Sequence, residues 1–409
     1  MNIGRLLGGI FLVAGTAIGV GMLAMPVTTG LAGLCPALFL FFISWFFMMF
    51  TAFLFLEISF WMEEGTDLIS MAEQTLGSIG KWIGTTIYLM LLYALLTAYV
   101  GGSTRLFEEA VKEWLSMDLP RWFAPLPVLF FFGLIVYLGT KSVDYLNRIL
   151  MMALVLTYFF LVVYVPPHID VSLYGHQDWD YLLVSVSVIV TSFGFHIVIP
   201  SLSTYLGGNA TNLKIVLFVG SVIPLFVYIV WEMLVLGVVP LEGENGLIQA
   251  WVKDSPATDS LREVLKMPWI SILARFFAFF SITTSFLGVS LSMTHFLSDG
   301  MKVKRESPFA RLLIIMLTFL PPLVFIFIGS RVFYVALEYA GIFVSILLGI
   351  LPICMVWVGR YKQRRSQEFR TPGGRILLVC AFVFFALVVI LEIATKLNLL
   401  HFVVSEYVV

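Results

Sequence analysis

The sequence predicts an all-α integral membrane protein, and three observations support this prediction. Of the 409 residues, 60% are hydrophobic and only 12% are charged, whereas soluble domains are about 45–50% apolar and about 25% charged. Apolar windows of about 20 residues, the length that crosses a hydrocarbon core of ~30 Å, recur along the whole chain. One pattern of glycine followed by proline occurs twice, in residues 15–26 and in residues 192–200.

Eleven segments are predicted to span the membrane. The first apolar run follows Arg5 and continues to about residue 29 without a small-residue cleavage site, so we interpret it as a span rather than as a signal peptide. The predicted spans cover residues 5–29, 32–60, 82–104, 123–140, 147–166, 182–206, 213–239, 269–297, 309–329, 333–358 and 376–396.

Charge distribution predicts the orientation of these spans. Most of the 24 lysine and arginine residues fall on the face that carries the N-terminus, and the positive-inside rule makes that face cytoplasmic. An odd number of spans then places the C-terminal tail, His401 to Val409, outside. The polar segments between the spans are too short for a soluble catalytic domain.

Composition also limits the partners. A net charge of −1 gives no electrostatic reason to expect nucleic acid. The three cysteines, Cys35, Cys354 and Cys380, lie in apolar runs, and their spacing fits neither a disulfide framework nor a metal site. We therefore expect the lipid bilayer as the surroundings, with no cofactor, no firm metal site and no obligate protein partner.

The repeated glycine pattern predicts an internal duplication. Residues 15–26 read GTAIGVGMLAMP and residues 192–200 read SFGFHIVIP, so aligning Pro26 with Pro200 puts glycine near mid-membrane in both. Because five spans separate the two segments, they enter the membrane from opposite sides, as in transporters built of inverted repeats. The predicted repeats cover residues 5–166 and 182–358, residues 376–396 form an additional span, and residues 1–409 form one domain.

Glycines at that depth predict broken helices. Gly15, Gly19 and Gly21 weaken a helix where no water replaces its hydrogen bonds, and irregular backbone inside a membrane lines a cavity or is buried in protein. Freed carbonyl groups suit an ammonium group and half-helix N-termini suit a carboxylate, so the site fits a zwitterion. The alternative is that the glycines only allow close packing of helices.

Three segments carry a family resemblance: residues 15–26, residues 192–202 (SFGFHIVIPSL) and residues 281–288 (SITTSFLG). They resemble the hydroxy/aromatic amino acid permease family, and in particular its tyrosine and tryptophan permeases, within the amino acid–polyamine–organocation superfamily. The resemblance implies the leucine-transporter (LeuT) fold. It also implies import of an aromatic amino acid, with tyrosine favoured over tryptophan or phenylalanine, across the cytoplasmic (inner) membrane by alternating access coupled to proton entry.

The same resemblance implies the substrate-binding residues. The amino acid would lie against the two broken helices and span 3, and aromatic residues that make up 15% of the chain can equally pack in the core or against lipid. The candidates are Thr16, Ala17, Gly19, Gly21, Tyr93, Tyr99, Phe193, Gly194, Phe195 and His196.

The sequence is consistent with either of two coupling ions, a proton or a sodium ion. For a proton, His196 and Glu57 are the candidates and Glu232 is a weaker one, with the alternatives that the histidine is structural and that both glutamates reach water. For a sodium ion, the resemblance implies span-1 carbonyl groups and a hydroxyl pair in span 8, whose hydroxyls can also bond their own helix. The residues of this possible sodium site are Gly15, Ile18, Thr284 and Ser285. We favour the proton.

Other function classes fit less well. The five histidines are scattered, and the chain has neither a His-Glu-x-x-His nor a Gly-x-Ser-x-Gly element, which disfavours a membrane enzyme. A channel would repeat polar residues along a pore instead of breaking two helices. A sensor built on a transporter fold stays open.

Overall fold

The structure is a computed structural model that describes residues 3–63, 66–302, 308–329, 331–365 and 369–397. All regular secondary structure within these ranges is helical. The tail His401–Val409, predicted to lie outside the cell, is not among the described residues.

Sixteen α-helices form the described part of the chain. Nine helices there are long and apolar enough to cross a membrane, or ten if the bent pair α1 and α2 counts as one span. The helices are α1 Ile3–Ala17, α2 Gly21–Thr29, α3 Leu34–Ser59, α4 Leu68–Leu115, α5 Pro125–Tyr137, α6 Thr140–Tyr164, α7 Leu182–Ser192, α8 Ile199–Tyr205, α9 Ala210–Leu236, α10 Leu247–Val252, α11 Ala257–Leu265, α12 Pro268–Gly300, α13 Pro308–Ile328, α14 Val332–Val344, α15 Leu351–Tyr361 and α16 Gly374–Lys396.

One predicted span differs from the helix that forms. The sequence predicts a full span over residues 123–140, but α5 has 13 residues and rises about 20 Å, less than the ~30 Å of a hydrocarbon core. The helix begins at Pro125, whose ring suits a first helical turn, and Gly139 at φ +100° lies outside helical geometry. Apolar composition alone overestimated the length of this element.

The chain folds into two compact units, each assembled from separate stretches of sequence. The first contains Met1–Tyr88, Tyr174–Met233 and Gly341–Val409, and the second contains Leu89–Leu173 and Leu234–Ala340.

In the first unit, α3 packs against α7, α8 and α15, and α2 packs against α7. A π-helical turn, Ser345–Ile350, connects α14 to α15 and packs against α16. Gly349 in this turn lies so close to the Phe385 ring that a Cβ atom would overlap it. The small residue therefore allows the two helices to approach.

In the second unit, the long helix α12 packs along α6, and α13 packs against α5 and α12. The Asp254 carboxylate accepts the backbone N–H groups of Phe333 at 2.9 Å and Tyr334 at 3.1 Å. These two N–H groups belong to the first turn of α14, which has no intrahelical acceptors for them. Asp254 therefore caps the N-terminus of α14, although α12 and α13 separate the two in the sequence.

Candidate functional site

The first predicted break is present between α1 and α2. Helix α1 ends at Ala17, α2 begins at Gly21, and their axes differ by 52°. The Ile18 N–H still bonds the Ala14 carbonyl at 2.9 Å, and the Met22 N–H bonds the Gly19 carbonyl at 3.1 Å. The carbonyl groups at the end of α1 have lost the donors that a continuous helix would supply.

The second predicted break is present after α7. Helix α7 ends at Ser192, and Phe193 (φ −96°, ψ 19°) and Phe195 (φ −103°, ψ 4°) leave helical geometry before α8 begins at Ile199. Phe193, Phe195 and His196 are fully buried. The structure thus brings the predicted residues of both breaks into the first unit.

The glycines at the breaks have different surroundings. A Cβ atom on Gly21 would overlap the Ser192 side chain, so here the glycine permits direct packing of α2 on the end of α7, as the packing alternative expected. A Cβ atom on Gly194 would lie 3.0 Å from the Thr191 carbonyl oxygen and 3.6 Å from Leu348. A small side chain would be tight at Gly194, and a large one would require rearrangement.

Helix α9 contributes a contact that the sequence interpretation missed. The Tyr228 hydroxyl lies 2.6 Å from the Ala17 carbonyl oxygen and 3.0 Å from the Ser192 carbonyl oxygen. These two carbonyl groups are the C-terminal ends of α1 and α7. One fully buried tyrosine therefore bonds the C-terminal ends of both half-helices.

Trp231 lies one turn further along the same face of α9. Its indole N–H donates to the Met22 carbonyl oxygen at 2.7 Å. In a regular helix that carbonyl would accept from residue 26, but Pro26 has no N–H. The signal was available in the sequence, because a proline inside a buried helix leaves an acceptor four residues earlier that requires a donor.

His196 pairs with span 2 across the second break. Its Nε2 atom lies 2.9 Å from the Thr51 hydroxyl of α3, and its ring lies 5.3 Å from the Phe195 ring. This bond anchors the backbone between α7 and α8 to α3. A proton-carrying role for His196 stays a prediction.

Of the other candidates on α1, Thr16 donates its hydroxyl to the Leu12 carbonyl of its own helix at 2.7 Å. Ala17 and Gly19 are buried, while Gly15 and Ile18 are half-buried. Their roles in binding substrate or sodium stay predictions.

The two candidate tyrosines of span 3 lie in the second unit. Tyr93 donates its hydroxyl to the Leu317 carbonyl at 2.9 Å, and that carbonyl lacks a helical donor because residue 321 is proline. Tyr93 thus has a structural role that the sequence interpretation missed. Tyr99 is buried.

The Thr284 hydroxyl in α12 is bonded within its own helix. Thr284 donates to the carbonyl oxygens of Phe280 at 2.8 Å and Ser281 at 3.1 Å, both in its own helix. These contacts account for the Thr284 hydroxyl without an ion. A sodium site at these residues stays a prediction.

Glu57 does not reach water, contrary to the alternative raised from its position near a span end. It is 2% exposed and accepts from the Arg360 Nε atom at 2.7 Å and from Arg360 Nη2. The Thr371 backbone N–H donates to the same carboxylate at 2.7 Å. Glu57 is a charge-compensated carboxylate, and a role in proton coupling stays a prediction.

Glu232 is also cut off from water, with 0% exposure. Its Oε1 atom contacts the Thr29 hydroxyl of α2, and its Oε2 atom has no hydrogen-bond partner among the described residues. The two glutamates are equally buried but have different surroundings.

Comparison with known proteins identifies relatives of the whole chain. Residues 3–392 match the model of the tryptophan/tyrosine permease family. The tyrosine-specific transport system 1 of Haemophilus influenzae is 32% identical over 409 residues, which cover 98% of this chain and 100% of that protein. The tryptophan-specific transport protein of the same organism is 28% identical over 405 residues, which cover 96% of each chain.

A solved structure shares the fold. The manganese transporter of Eremococcus coleocola, crystallised with an aromatic bis-isothiourea substituted compound, superposes with a TM-score of 0.60 at 14% identity. The match covers 95% of this chain and 86% of that chain. At this identity the likeness concerns the arrangement of helices.

Proposed function

The chain belongs to the tryptophan/tyrosine permease family, which confirms the resemblance read from its residues, and from this premise we propose that it imports an aromatic amino acid across the cytoplasmic membrane. Tyrosine is the favoured substrate, followed by tryptophan or phenylalanine. The proposed mechanism is symport by alternating access, coupled to proton entry. Its main structural support is the pair of helix breaks that lie side by side in the first unit, where Gly21 contacts Ser192.

The breaks offer groups of both signs to a zwitterion. The C-terminal carbonyls of α1 and α7 are the negative ends of two helices, suited to an ammonium group. The N-terminus of α2 is the positive end of a helix and suits a carboxylate. Phe193 and Phe195, buried beside these ends, are the proposed apolar contacts of the aromatic ring.

We also propose the five-plus-five inverted repeat of the LeuT fold. The first two predicted spans of each repeat, α1–α3 and α7–α9, contribute to the first unit, while the third and fourth spans contribute to the second. Corresponding parts of two repeats are expected to occupy corresponding units. The proposed orientation keeps the N-terminus cytoplasmic and the C-terminus outside.

Transport by the purified chain in proteoliposomes tests this function. With an imposed pH gradient, acid outside, labelled tyrosine should accumulate above its external concentration, and a protonophore should abolish accumulation. Uptake that requires a sodium gradient and ignores the protonophore at fixed membrane potential would replace the proton by sodium. No accumulation of tyrosine, tryptophan or phenylalanine under either gradient would reject the symporter.

A matched pair of variants tests the site. Gly194→Leu places a large side chain at the second break and should abolish substrate binding. Gly133→Leu adds the same side chain on α5, where a Cβ atom meets Phe319 at an ordinary 3.6 Å beside an apolar groove of about 400 Å³. Equal loss of binding in both variants, at equal yield of monodisperse protein, would argue against a site at the break.

A further inference from the structure

Three glutamates described in the first unit are buried, and they differ in charge compensation. Glu57 pairs with Arg360, and Glu392 lies 3.9 Å from the Lys396 ammonium and accepts the Ser187 hydroxyl at 2.7 Å. Glu232 makes no ion pair with a described residue of this unit. An isolated carboxylate inside a membrane is costly when it is ionised. The hydrogen bonds of Glu232 therefore indicate whether the side chain is neutral or charged.

The hydrogen bonds around Glu232 supply at most one donor to an ionised carboxylate. The Thr29 hydroxyl contacts Glu232 Oε1 and lies 2.6 Å from the Met25 carbonyl oxygen. A threonine hydroxyl has one hydrogen, and a carbonyl oxygen has none. That hydrogen can point at the Met25 carbonyl or at Glu232, so an ionised Glu232 would receive at most one hydrogen bond for its two buried oxygens.

A neutral carboxylic acid satisfies every atom of this group except one acceptor. In the neutral acid, the Glu232 O–H can donate to the Thr29 oxygen while Thr29 donates to the Met25 carbonyl; in the ionised form, Thr29 is the donor to Glu232 Oε1. The remaining carboxyl oxygen, Oε2, is then a neutral acceptor without a partner among the described residues, which costs far less than a buried charge without one. The contacts therefore fit a proton resident on the side chain.

We propose that Glu232 is the site that binds and releases the coupling proton. The proposal rests on the proton-coupled transport proposed above and names its proton-binding residue. One proton adds to the carboxylate of Glu232 to give the acid, whose O–H bonds Thr29. Loss of that proton leaves a charge that needs donors or water, which the closed arrangement does not supply.

The location links protonation to the broken helix. Thr29 lies on α2, the half-helix after the first break, and α9 also bonds that span through Tyr228 and Trp231. Release of the proton reverses the hydrogen bond between α9 and the far end of α2, because an ionised Glu232 can only accept from Thr29, whereas the tyrosine and tryptophan contacts carry no titrating carboxyl. Movement of α2 that admits water to Glu232 therefore favours proton release, and closure favours binding.

Few other groups near Glu232 titrate. Helix α2 and helix α7 carry no ionisable side chain. In the loop before α7, Tyr174 donates to the Met233 carbonyl at 2.7 Å and His176 Nε2 lies 2.8 Å from the Leu31 carbonyl. His176 is the histidine in this group of contacts, so His176→Gln serves as a control for any pH effect.

Infrared spectroscopy tests the protonation directly. In an Asp259→Asn background, which removes an acid of the second unit whose pKa burial raises towards neutrality, the protein in liposomes at pH 7 should show the C=O stretch of a protonated carboxylic acid, and Glu232→Gln should remove it while Glu392→Gln and His176→Gln keep it. An unchanged band in Glu232→Gln would overturn the proposal. If Glu232→Gln fails to fold, Thr29→Val should shift the band, because the O–H loses its acceptor, and an unshifted band counts against Glu232.

Transport measurements test the coupling. Glu232→Gln keeps a donor for Thr29, so exchange of tyrosine across the membrane should stay within about twofold of wild type, while uphill uptake and tyrosine-driven proton entry should be lost. Undiminished uphill uptake in Glu232→Gln would overturn the coupling role. If no variant and no wild-type protein transports an aromatic amino acid but the infrared band is lost in Glu232→Gln, the proposed function fails and the protonation of Glu232 stands.

Discussion

Two carboxylates in the first unit are equally hidden from water and differently held. Glu57 is 2% exposed and accepts hydrogen bonds from a guanidinium group and a backbone N–H. Glu232 is 0% exposed and contacts one threonine hydroxyl, which also lies within hydrogen-bonding distance of a backbone carbonyl. Burial alone therefore does not separate a structural acid from a functional one. The number and charge of the donors around each acid do, because a compensated carboxylate keeps its charge, whereas an uncompensated one favours the neutral acid that the proposed coupling role requires.

The largest effect should follow from breaking the buried ion pair between Glu57 and Arg360. Arg360→Met leaves the Glu57 carboxylate buried without its partner, and removing one member of a buried ion pair costs about 3–5 kcal/mol. We expect little monodisperse protein and a lower unfolding temperature. The double variant Arg360→Met with Glu57→Leu should recover much of the loss, since neither charge remains. A stable Arg360→Met protein would mean that Glu57, like Glu232, is held as a neutral acid.

The next effect concerns the contact that both helix breaks share. Tyr228→Phe removes one oxygen and leaves the carbonyls of Ala17 and Ser192 without their described side-chain donor, at a cost of about 1–3 kcal/mol for a buried unsatisfied group. Substrate affinity should change together with stability, because both half-helix ends move. Unfolding temperature and substrate binding should be measured in parallel, with Tyr205→Phe in the half-exposed end of α8 as control. A stability loss without any change in affinity would place the substrate away from these carbonyls.

A smaller effect is expected at Tyr93, whose hydroxyl has a local structural explanation. Tyr93→Phe deprives the Leu317 carbonyl of its donor, and a single neutral hydrogen bond contributes about 1 kcal/mol. Stability should fall slightly while the concentration for half-maximal tyrosine uptake stays unchanged. A raised half-maximal concentration for tyrosine but not for phenylalanine would show that Tyr93 bonds the substrate hydroxyl instead.

These comparisons show what the sequence could and could not predict. The breaks near Gly19 and Gly194 followed from local rules, because glycine and proline act on their own helix. The partners of the breaks, Tyr228 and Trp231, lie on α9, 36 and 39 residues after Ser192. No periodicity in the sequence indicates which aromatic residue supplies the donor. Pro26 and Pro321 indicate that the carbonyl four residues earlier lacks its helical donor, but they do not indicate which residue replaces that donor.

The acids were misjudged for a related physical reason. Position within a span suggested that Glu57 and Glu232 reach water at opposite ends, but the distance along one helix ignores the elements packed around it. Thr371, which covers Glu57, follows α15 by a loop that hydropathy treats only as polar. The same limit produced the overlong prediction for residues 123–140, where turn residues cut an apolar segment to a helix of 13 residues.

The smallest effect tests an acid outside the spans and separates stability from coupling. Burial raises the pKa of Asp259 on α11 to about 7; Glu109 adds to the rise, while Arg105 and Arg262 oppose it. The ordinary value in an unfolded chain is about 3.9, so the folded state binds the proton more tightly. The stability that this proton contributes is complete below about pH 4 and is lost as pH rises through about 7.

Asp259→Asn should therefore flatten the fall in unfolding temperature between pH 5 and pH 8, by an amount equivalent to about 1 kcal/mol or less, because Arg105 and the carboxylate are part of a partly solvated ion group. Uphill uptake driven by a fixed pH difference should be unchanged in Asp259→Asn, in contrast to Glu232→Gln. Loss of uphill uptake in Asp259→Asn would instead assign the coupling role to an acid of the second unit. Because Asp259 has two arginines nearby, that result would also show that charge compensation does not distinguish structural acids from proton-carrying ones.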